Sequence, residues 1–407
     1  MFDKRFKSHH DAEGFYKDLL VRNRSSKEAL YEYLEKPLKA KDNAIYIHIP
    51  FCDKICSFCN MNRTLSTKPK DEYVDSLIKQ IKEVGSKKAF DTALISAVYF
   101  GGGTPTTLLP KHFKEIIQEL RKNFNLASDV EITCETTLHN LSDDHIKEFN
   151  EIGINRISIG IQTFQDEGRA FFNRTFNKEE VIFKIKKVKE EFKGIVCIDK
   201  IYNYPNETKE MLMDDIKQII DLKIESVSFY SLMIHTGSFL SKEYDEKQFS
   251  DSQDLKFHDL FVEELLKTGN YELMELTKIV RKNCDSYKYM SIRNSNGNTI
   301  PLGKGAGGKI DKFHIYNMDF DKVMIVESTK AIEEKAHELY GLLQKDSVSK
   351  KVLSDYLSTS MQPIINNLKK EGYIDEDDNQ YMLSSKGIFY GNNIGGLLTR
   401  AFLEATE

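Results

Sequence analysis

Between residues 45 and 234 the chain alternates short, nearly continuous apolar runs with longer stretches whose apolar positions recur every three to four residues. The runs at 45–49, 96–100, 130–135, 156–161, 196–201 and 226–232 predict strands buried on both faces. Between them, Tyr73, Leu77, Ile78, Ile81 and Val84 form one helical stripe, and Phe113, Ile116, Ile117, Leu120 and Phe124 form another. Ser142, followed by Asp143 and Asp144, reads as the cap of a helix that Gly153 ends. Strands of this kind joined by helices pair in parallel through right-handed crossovers. The predicted class is α/β, an open partial (β/α)6 barrel rather than the closed eight-fold form. Chemistry is expected at the carboxyl ends of its strands.

The pattern divides the chain into an N-terminal arm (1–44), the partial barrel (45–240), a barrel extension of helical and loop segments with a Gly-rich loop (241–345), and a smaller C-terminal α+β region (346–407). The stretch from Asn294 to Pro301 is rich in Asn, Ser and Gly and reads as loop. From Ser349 onward the order is helix, turn, helix and a small hairpin, which resembles a winged helix. Asp375, Glu376, Asp377 and Asp378 stand where a wing would meet phosphate, so packing or a lid is expected there instead of nucleic-acid binding.

At 407 residues the chain can bury a substantial core. A net charge of -5 supplies no global field for nucleic acid or an anionic membrane. The charged start, Met1 to Lys7, lacks the apolar centre of a signal peptide, and no apolar run nears the roughly 18 residues of a membrane span. Cys134, Cys197 and Cys284 are scattered singly, so a disulfide framework is not expected, and a cytoplasmic protein with reduced thiols is.

Cys52, Cys56 and Cys59 form a C-x3-C-x2-C triplet on the loop after the first predicted strand. Three thiolates at this spacing can hold three irons of a four-iron cluster and leave the fourth open to a chelating molecule. A structural zinc site would need a fourth Cys or His; the nearest are His48, His9 and His10, and residues 60–70 hold neither type. Gly101, Gly102 and Gly103, with Thr104, end the second strand and let a ligand approach the backbone closely. Glu135, Gln162 and Asp199 each close an otherwise apolar strand, giving a ring of polar groups suited to ribose hydroxyls and an ammonium group. Arg174 can meet a carboxylate in a bidentate fork. The run from Gly303 to Gly308 satisfies G-x-G-x-x-G outside any strand–helix–strand unit, so it reads as a close-approach loop and not a dinucleotide fold. His235, His258 and His314 are candidate haem-iron ligands.

Together, Tyr46-x-His-x-Pro-Phe-Cys52-x3-Cys56-x-Phe58-Cys59 and the Gly-Gly-Gly-Thr-Pro run resemble the radical S-adenosylmethionine (SAM) superfamily. The likeness is to the branch of oxygen-independent coproporphyrinogen dehydrogenase, its related haem chaperones and the anaerobic haem-degrading methyltransferases. It covers roughly residues 45 to 320. The resemblance implies that Cys52, Cys56 and Cys59 bind a [4Fe–4S] cluster whose open iron SAM chelates. It implies further that Tyr46 and Phe58 pack about cluster and cofactor, that Gly102, Gly103 and Thr104 take the methionine end, and that Glu135, Gln162, Arg174 and Asp199 contact SAM. A second SAM is expected near Ser231 and the late loop with Gly307 and Gly308. One-electron cleavage of SAM would give methionine and a 5′-deoxyadenosyl radical.

Within the branch, Met61 stands where the coproporphyrinogen enzymes carry a further cysteine, and Asn60 where haem chaperones often show Asp. The 303–308 loop, the long N-terminal arm and the ending from Gly387 look most like the haem-degrading enzymes of anaerobilin synthase type. Tyr202-Asn-Tyr-Pro-Asn after Asp199, and Thr136-Thr137 after Glu135, depart from the usual residues. The expected activity is therefore a radical SAM methyltransferase that opens haem anaerobically, releasing iron and a linear methylated tetrapyrrole. Reduced flavin or flavodoxin is the expected electron donor. The alternatives are oxygen-independent coproporphyrinogen III dehydrogenase and a haem chaperone on the same scaffold.

Overall fold

The structure is a computed structural model that describes residues 1–66, 70–245, 248–357 and 361–405. The N-terminal arm carries α1 (His9–Tyr16) and β1 (Arg22–Ser25). Strands and helices then alternate through β2 (Asn43–Ile49), α2 (Asp71–Gly85), β3 (Leu94–Gly102), α3 (Pro110–Asn123), β4 (Asn125–Thr136), α4 (Asp143–Ile152) and β5 (Arg156–Gln162). Next come α5 (Asp166–Phe171), α6 (Lys178–Glu191), β6 (Ile195–Tyr202), α7 (Lys209–Asp221) and β7 (Ser226–Ser231). The chain continues with α8 (Asp251–Lys267), the hairpin of β8 (Tyr271–Glu275) and β9 (Lys278–Arg281), and α9 (Lys288–Asn294). After these lie β10 (Asn298–Leu302), β11 (Gly307–Ile310), β12 (Phe313–Asn317) and β13 (Val323–Ser328). The C-terminal helices include α10 (Ala331–Leu342), α11 (Met361–Lys370) and α12 (Gly391–Glu404).

One 13-stranded sheet runs β1-β13-β12-β11-β10-β2-β3-β4-β5-β6-β7-β9-β8 and does not close. From β10 through β7 every neighbouring pair is parallel. The reason lies in the strand sequences. Ile45, Ile47 and Ile49 face one layer of core with Phe100, Ile157, Ile159 and Ile198, and the stripes of Leu77, Ile81, Phe113 and Ile117 cover it from outside. The Ser142 hydroxyl accepts from His145 N, and Gly153 at φ 88 ends α4, as their residue types require.

Two expectations change. The segment after residue 240 does not break down into helices and loops: β8 and β9 extend one edge of the sheet, and β10 to β13 extend the other. The stretch expected as loop around Asn294 to Pro301 holds β10, which pairs parallel with β2 and is buried at every residue. Its Asn content misleads because the amide is satisfied internally. Asn298 Nδ2 donates to Asn43 Oδ1 at 2.8 Å, and Asn298 Oδ1 accepts from Asp311 N at 2.6 Å.

The C-terminal region builds a separate three-stranded sheet over Ser347–Ser349, Ile374–Glu376 and Gln380–Leu383. Its core joins α10, α11 and α12 to Tyr16 of α1. Glu376 of the acidic turn pairs with Lys350 and Lys369, so part of that charge is neutralised within the region. No helix among the described residues is long and apolar enough to cross a membrane.

Candidate functional site

β2 ends at Ile49 and delivers the chain into the cysteine loop. Phe51–Cys52 pairs in parallel with Thr64–Leu65, which closes the loop at its base. On its far side the loop is tied to the end of α5: Ser57 Oγ donates to Phe171 O at 2.7 Å and Asn173 Nδ2 donates to Ile55 O at 2.8 Å. Cys52, Cys56 and Cys59 thereby line one cavity of about 260 Å³. Burial pushes the thiols of Cys52 and Cys59 up. Cys56 Sγ accepts from Arg174 Nη1 at 2.9 Å.

The ends of β3 to β6 supply the rest of the wall. Gly102, Gly103 and Thr104 lie beside Cys52, and the shape there requires glycine. A Cβ on Gly103 would stand 2.6 Å from Phe51 O and 3.0 Å from Cys52 Sγ; Gly102 adopts φ +115, and a Cβ there would meet His48 at 2.7 Å. Gly103 N donates to Ile49 O at 2.8 Å and Thr104 N to Phe51 O at 2.7 Å. The glycines therefore supply room: the amides of Gly103 and Thr104 are already spent on β2 and the loop, and that of Gly102 on Glu135. Glu135 accepts from Tyr99 OH at 2.7 Å and from Gly102 N at 3.2 Å. Burial, partly offset by the Tyr99 bond, pushes its carboxyl up to about 7. Gln162 sits at φ 63, and its buried Oε1 has no hydrogen-bond partner among the described residues. Asp199 accepts from Ser158 Oγ at 3.4 Å.

Phe58 also lines the cavity and packs edge-on against Phe172 at 5.4 Å. Tyr46 does not line it. Its hydroxyl bonds His48 Nδ1 at 3.0 Å, while His48 Nε2 faces Asn62 O at 2.8 Å. Because a carbonyl only accepts, Nε2 carries the proton and Tyr46 donates to Nδ1. With both ring nitrogens engaged, and with burial pushing it down, His48 is a neutral brace and not a fourth metal ligand. Among the described residues no three His, Cys, Asp or Glu side chains are gathered to close on a metal ion by themselves. The thiols instead line an open wall, which suits a bulky cluster with one unliganded corner better than a closed zinc tetrahedron.

Ser231, Gly307 and Gly308 are not brought to this cavity. Ser231 is buried at the end of β7, and its Oγ has no hydrogen-bond partner among the described residues. Gly307 and Gly308 pair with Tyr316 and Ile315 in the sheet, and a Cβ on Gly308 would lie 2.1 Å from Thr299 O. Its glycine is explained by strand packing. The preceding turn does approach the site from below: a Cβ on Gly305 would stand 2.7 Å from Asn62 Nδ2 and 3.0 Å from the His48 ring. The close-approach loop expected at 303–308 thus packs against His48 and Asn62 as a buttress of the cysteine loop. Sequence reasoning missed Ser158, Arg169, Asn173, His139 and Asn140, which also line the cavity. Ser158 was findable, because it stands two residues before Gly160 on the same face of β5. The loop residues carry no such period.

The family model described as Radical SAM superfamily matches residues 46–219. The chain is 26% identical to the heme chaperone HemW of Lactococcus lactis over 87% of this chain and 96% of that protein. It is 26% identical to the anaerobilin synthase of Escherichia coli over 77% of this chain and 72% of that one. Among solved structures, coproporphyrinogen III oxidase (HemN) from Escherichia coli superposes with a TM-score of 0.78 at 19% identity, covering 92% of this chain and 93% of that one, so the fold is shared. With the cysteine loop and the open parallel sheet, residues 46–219 carry the match to the radical SAM superfamily, and the chain as a whole shares the fold of HemN.

Proposed function

We propose that Cys52, Cys56 and Cys59 bind the [4Fe–4S] cluster that the radical SAM match over residues 46–219 implies, that SAM binds between it and the strand ends, and that the chain opens the haem macrocycle anaerobically. The products of this reading are free iron and a linear methylated tetrapyrrole. The observation that supports the cluster and SAM site is convergence, since three thiols, two obligatory glycines and Glu135, Gln162, Arg174 and Asp199 meet at one cavity, and the likeness to anaerobilin synthase supports haem as the substrate. When bound, the cluster supplies the electron that cleaves SAM.

The protein's own groups divide the binding work. Arg174 offers a fork to the carboxylate of the amino-acid end. Glu135 and Asp199 are acceptors for ammonium and ribose hydroxyls, and the unbonded Gln162 Oε1 awaits a donor. Gly102 and Gly103 leave the space, and the apolar packing of Phe58 on Phe172 helps keep water from the reacting bond. Methyl transfer needs a second SAM, for which Ser231 with its unbonded hydroxyl is the candidate; Gly307 and Gly308 are occupied by the sheet.

Met61 lines the cavity beside the triplet, in the place the coproporphyrinogen enzymes give to cysteine, and this favours a different reaction. A second reading, a haem chaperone, draws on the nearly full-length likeness to HemW. A chaperone needs a lasting iron ligand. His258 is 1% exposed and packed among Tyr202, Phe229 and Phe389, which leaves a macrocycle no access to its ring, and His314 packs on His337 and bonds Ser328. The separating experiment is spectroscopic. Reconstituted protein is given SAM, a low-potential reductant and haem without oxygen, and the Soret band is followed. Bleaching supports ring opening; a bound, unchanged Soret band moves the chaperone forward.

A further inference from the structure

Arg169 belongs to α5, five residues before Arg174, and only 4% of it is exposed. Its guanidinium donates to backbone carbonyls: Nε to Phe176 O at 2.7 Å, Nη1 to Ile161 O at 3.1 Å and Thr163 O at 3.0 Å, and Nη2 to Thr175 O. Those acceptors are not scattered. Ile161 and Thr163 bracket Gln162, while Thr175 and Phe176 follow Arg174. The amide of Arg174 also donates to Arg169 O at 2.8 Å.

Both tethered turns hold sparsely populated backbone, with Gln162 at φ 63 and Phe176 at φ 72. Such conformations persist only where surrounding bonds fix them. The side chains of Gln162 and Arg174 then converge over Gly160, where a Cβ would lie 2.7 Å from Arg174 Nη2 and 3.2 Å from Gln162 Nε2. From that position Arg174 reaches Cys56 Sγ.

We propose that Arg169 is a positioning residue of the SAM site: its fork stitches the Gln162 turn to the Arg174 loop and so sets the two polar groups that meet the amino-acid end of SAM. The inference rests on the reading that SAM binds in this cavity. Arginine suits the task because a planar fork serves several carbonyls at once, where an ammonium is a single point. Burial, and then the nearby Arg174, push Arg169 down to about 10, so it stays charged at neutral pH beneath a site built for a carboxylate.

The test uses full-length protein with reconstituted cluster in five forms: wild type, R169M, R169K, R174Q and the R169M/R174Q double variant. Iron and sulfide per chain, the SAM dissociation constant and the SAM-induced change in the electron paramagnetic resonance spectrum of the reduced cluster are measured. R169M is expected to keep its iron and lose SAM affinity about 10–100-fold, with R169K between it and wild type. Since Arg169 acts in part through Arg174, the double variant should lose clearly less SAM affinity than the two single losses combined. Wild-type affinity in R169M, or losses that simply add in the double variant, overturn the proposal. If R169M does not fold, R169K decides: an intact cluster with weakened SAM binding supports the role, and wild-type binding overturns it. A wild-type protein that holds its cluster yet binds no SAM overturns the reading of the site itself, and that result is distinct from any variant effect.

Discussion

Glu135 shows what the strand ends do to a single residue. Its carboxyl stands near 7 in the fold against about 4.3 in an open chain, chiefly because the site is buried. The folded protein therefore holds a proton that the unfolded chain releases. The resulting stability is present below about pH 4 and is lost as pH rises through 7. Between pH 5 and 7.5 the metal-free wild type should lose about 2–3 kcal/mol more stability than E135Q, measured by urea unfolding. Equal losses in the two proteins would mean that Glu135 is not protonated in the fold. Glu135 could be singled out from sequence because it closes an apolar strand. Its partner Tyr99 could not, because the bond joins β3 to β4 and only the parallel register shows which residues meet.

At the scale of elements, the repeating unit of the barrel was legible and its edges were not. β2 to β7 announce themselves because strands covered on both faces need unbroken apolar runs, and β-to-α spacing then sets their order. β10 carries Asn298, Thr299 and Pro301 and lacks that signature. It is a strand because Asn43 and Asn298 satisfy each other across the parallel pair. Asn298→Ala should then leave Asn43 Oδ1 and Asp311 N without their buried partner and cost about 2–4 kcal/mol in urea unfolding. A change below about 0.5 kcal/mol would assign β10 to burial alone. The candidate site divides the same way. The cysteines, the glycines and the strand-end polar groups are readable because each sits at a fixed place in a motif or period. The Arg169 tethers are bonds to backbone carbonyls, on which no side chain leaves a trace in the sequence.

Across the whole molecule, the arm, the barrel and the C-terminal region meet at Arg5. This buried guanidinium donates to Phe389 O at 2.9 Å, to Tyr202 OH at 3.3 Å and to Asp254 Oδ2 at 3.1 Å. Tyr202 ends β6, Asp254 lies on α8, and Phe389 precedes α12, so one residue of the arm joins three parts of the fold. Arg5→Met leaves Asp254, 1% exposed, without its counter-charge and should cost about 3–5 kcal/mol in denaturant unfolding. Pairing it with Asp254→Leu should recover most of that loss; a double variant no better than R5M would show that the ion pair is not what the arm contributes. The central claim concerns chemistry on a tetrapyrrole, and its most direct test is the mass of the product. Reconstituted protein is turned over anaerobically with haem, a low-potential reductant and SAM bearing a deuterated methyl group, and the tetrapyrrole is analysed by mass spectrometry. The account predicts an iron-free, ring-opened tetrapyrrole carrying a deuterated methyl, and haem recovered intact and unlabelled while SAM is cleaved would contradict it.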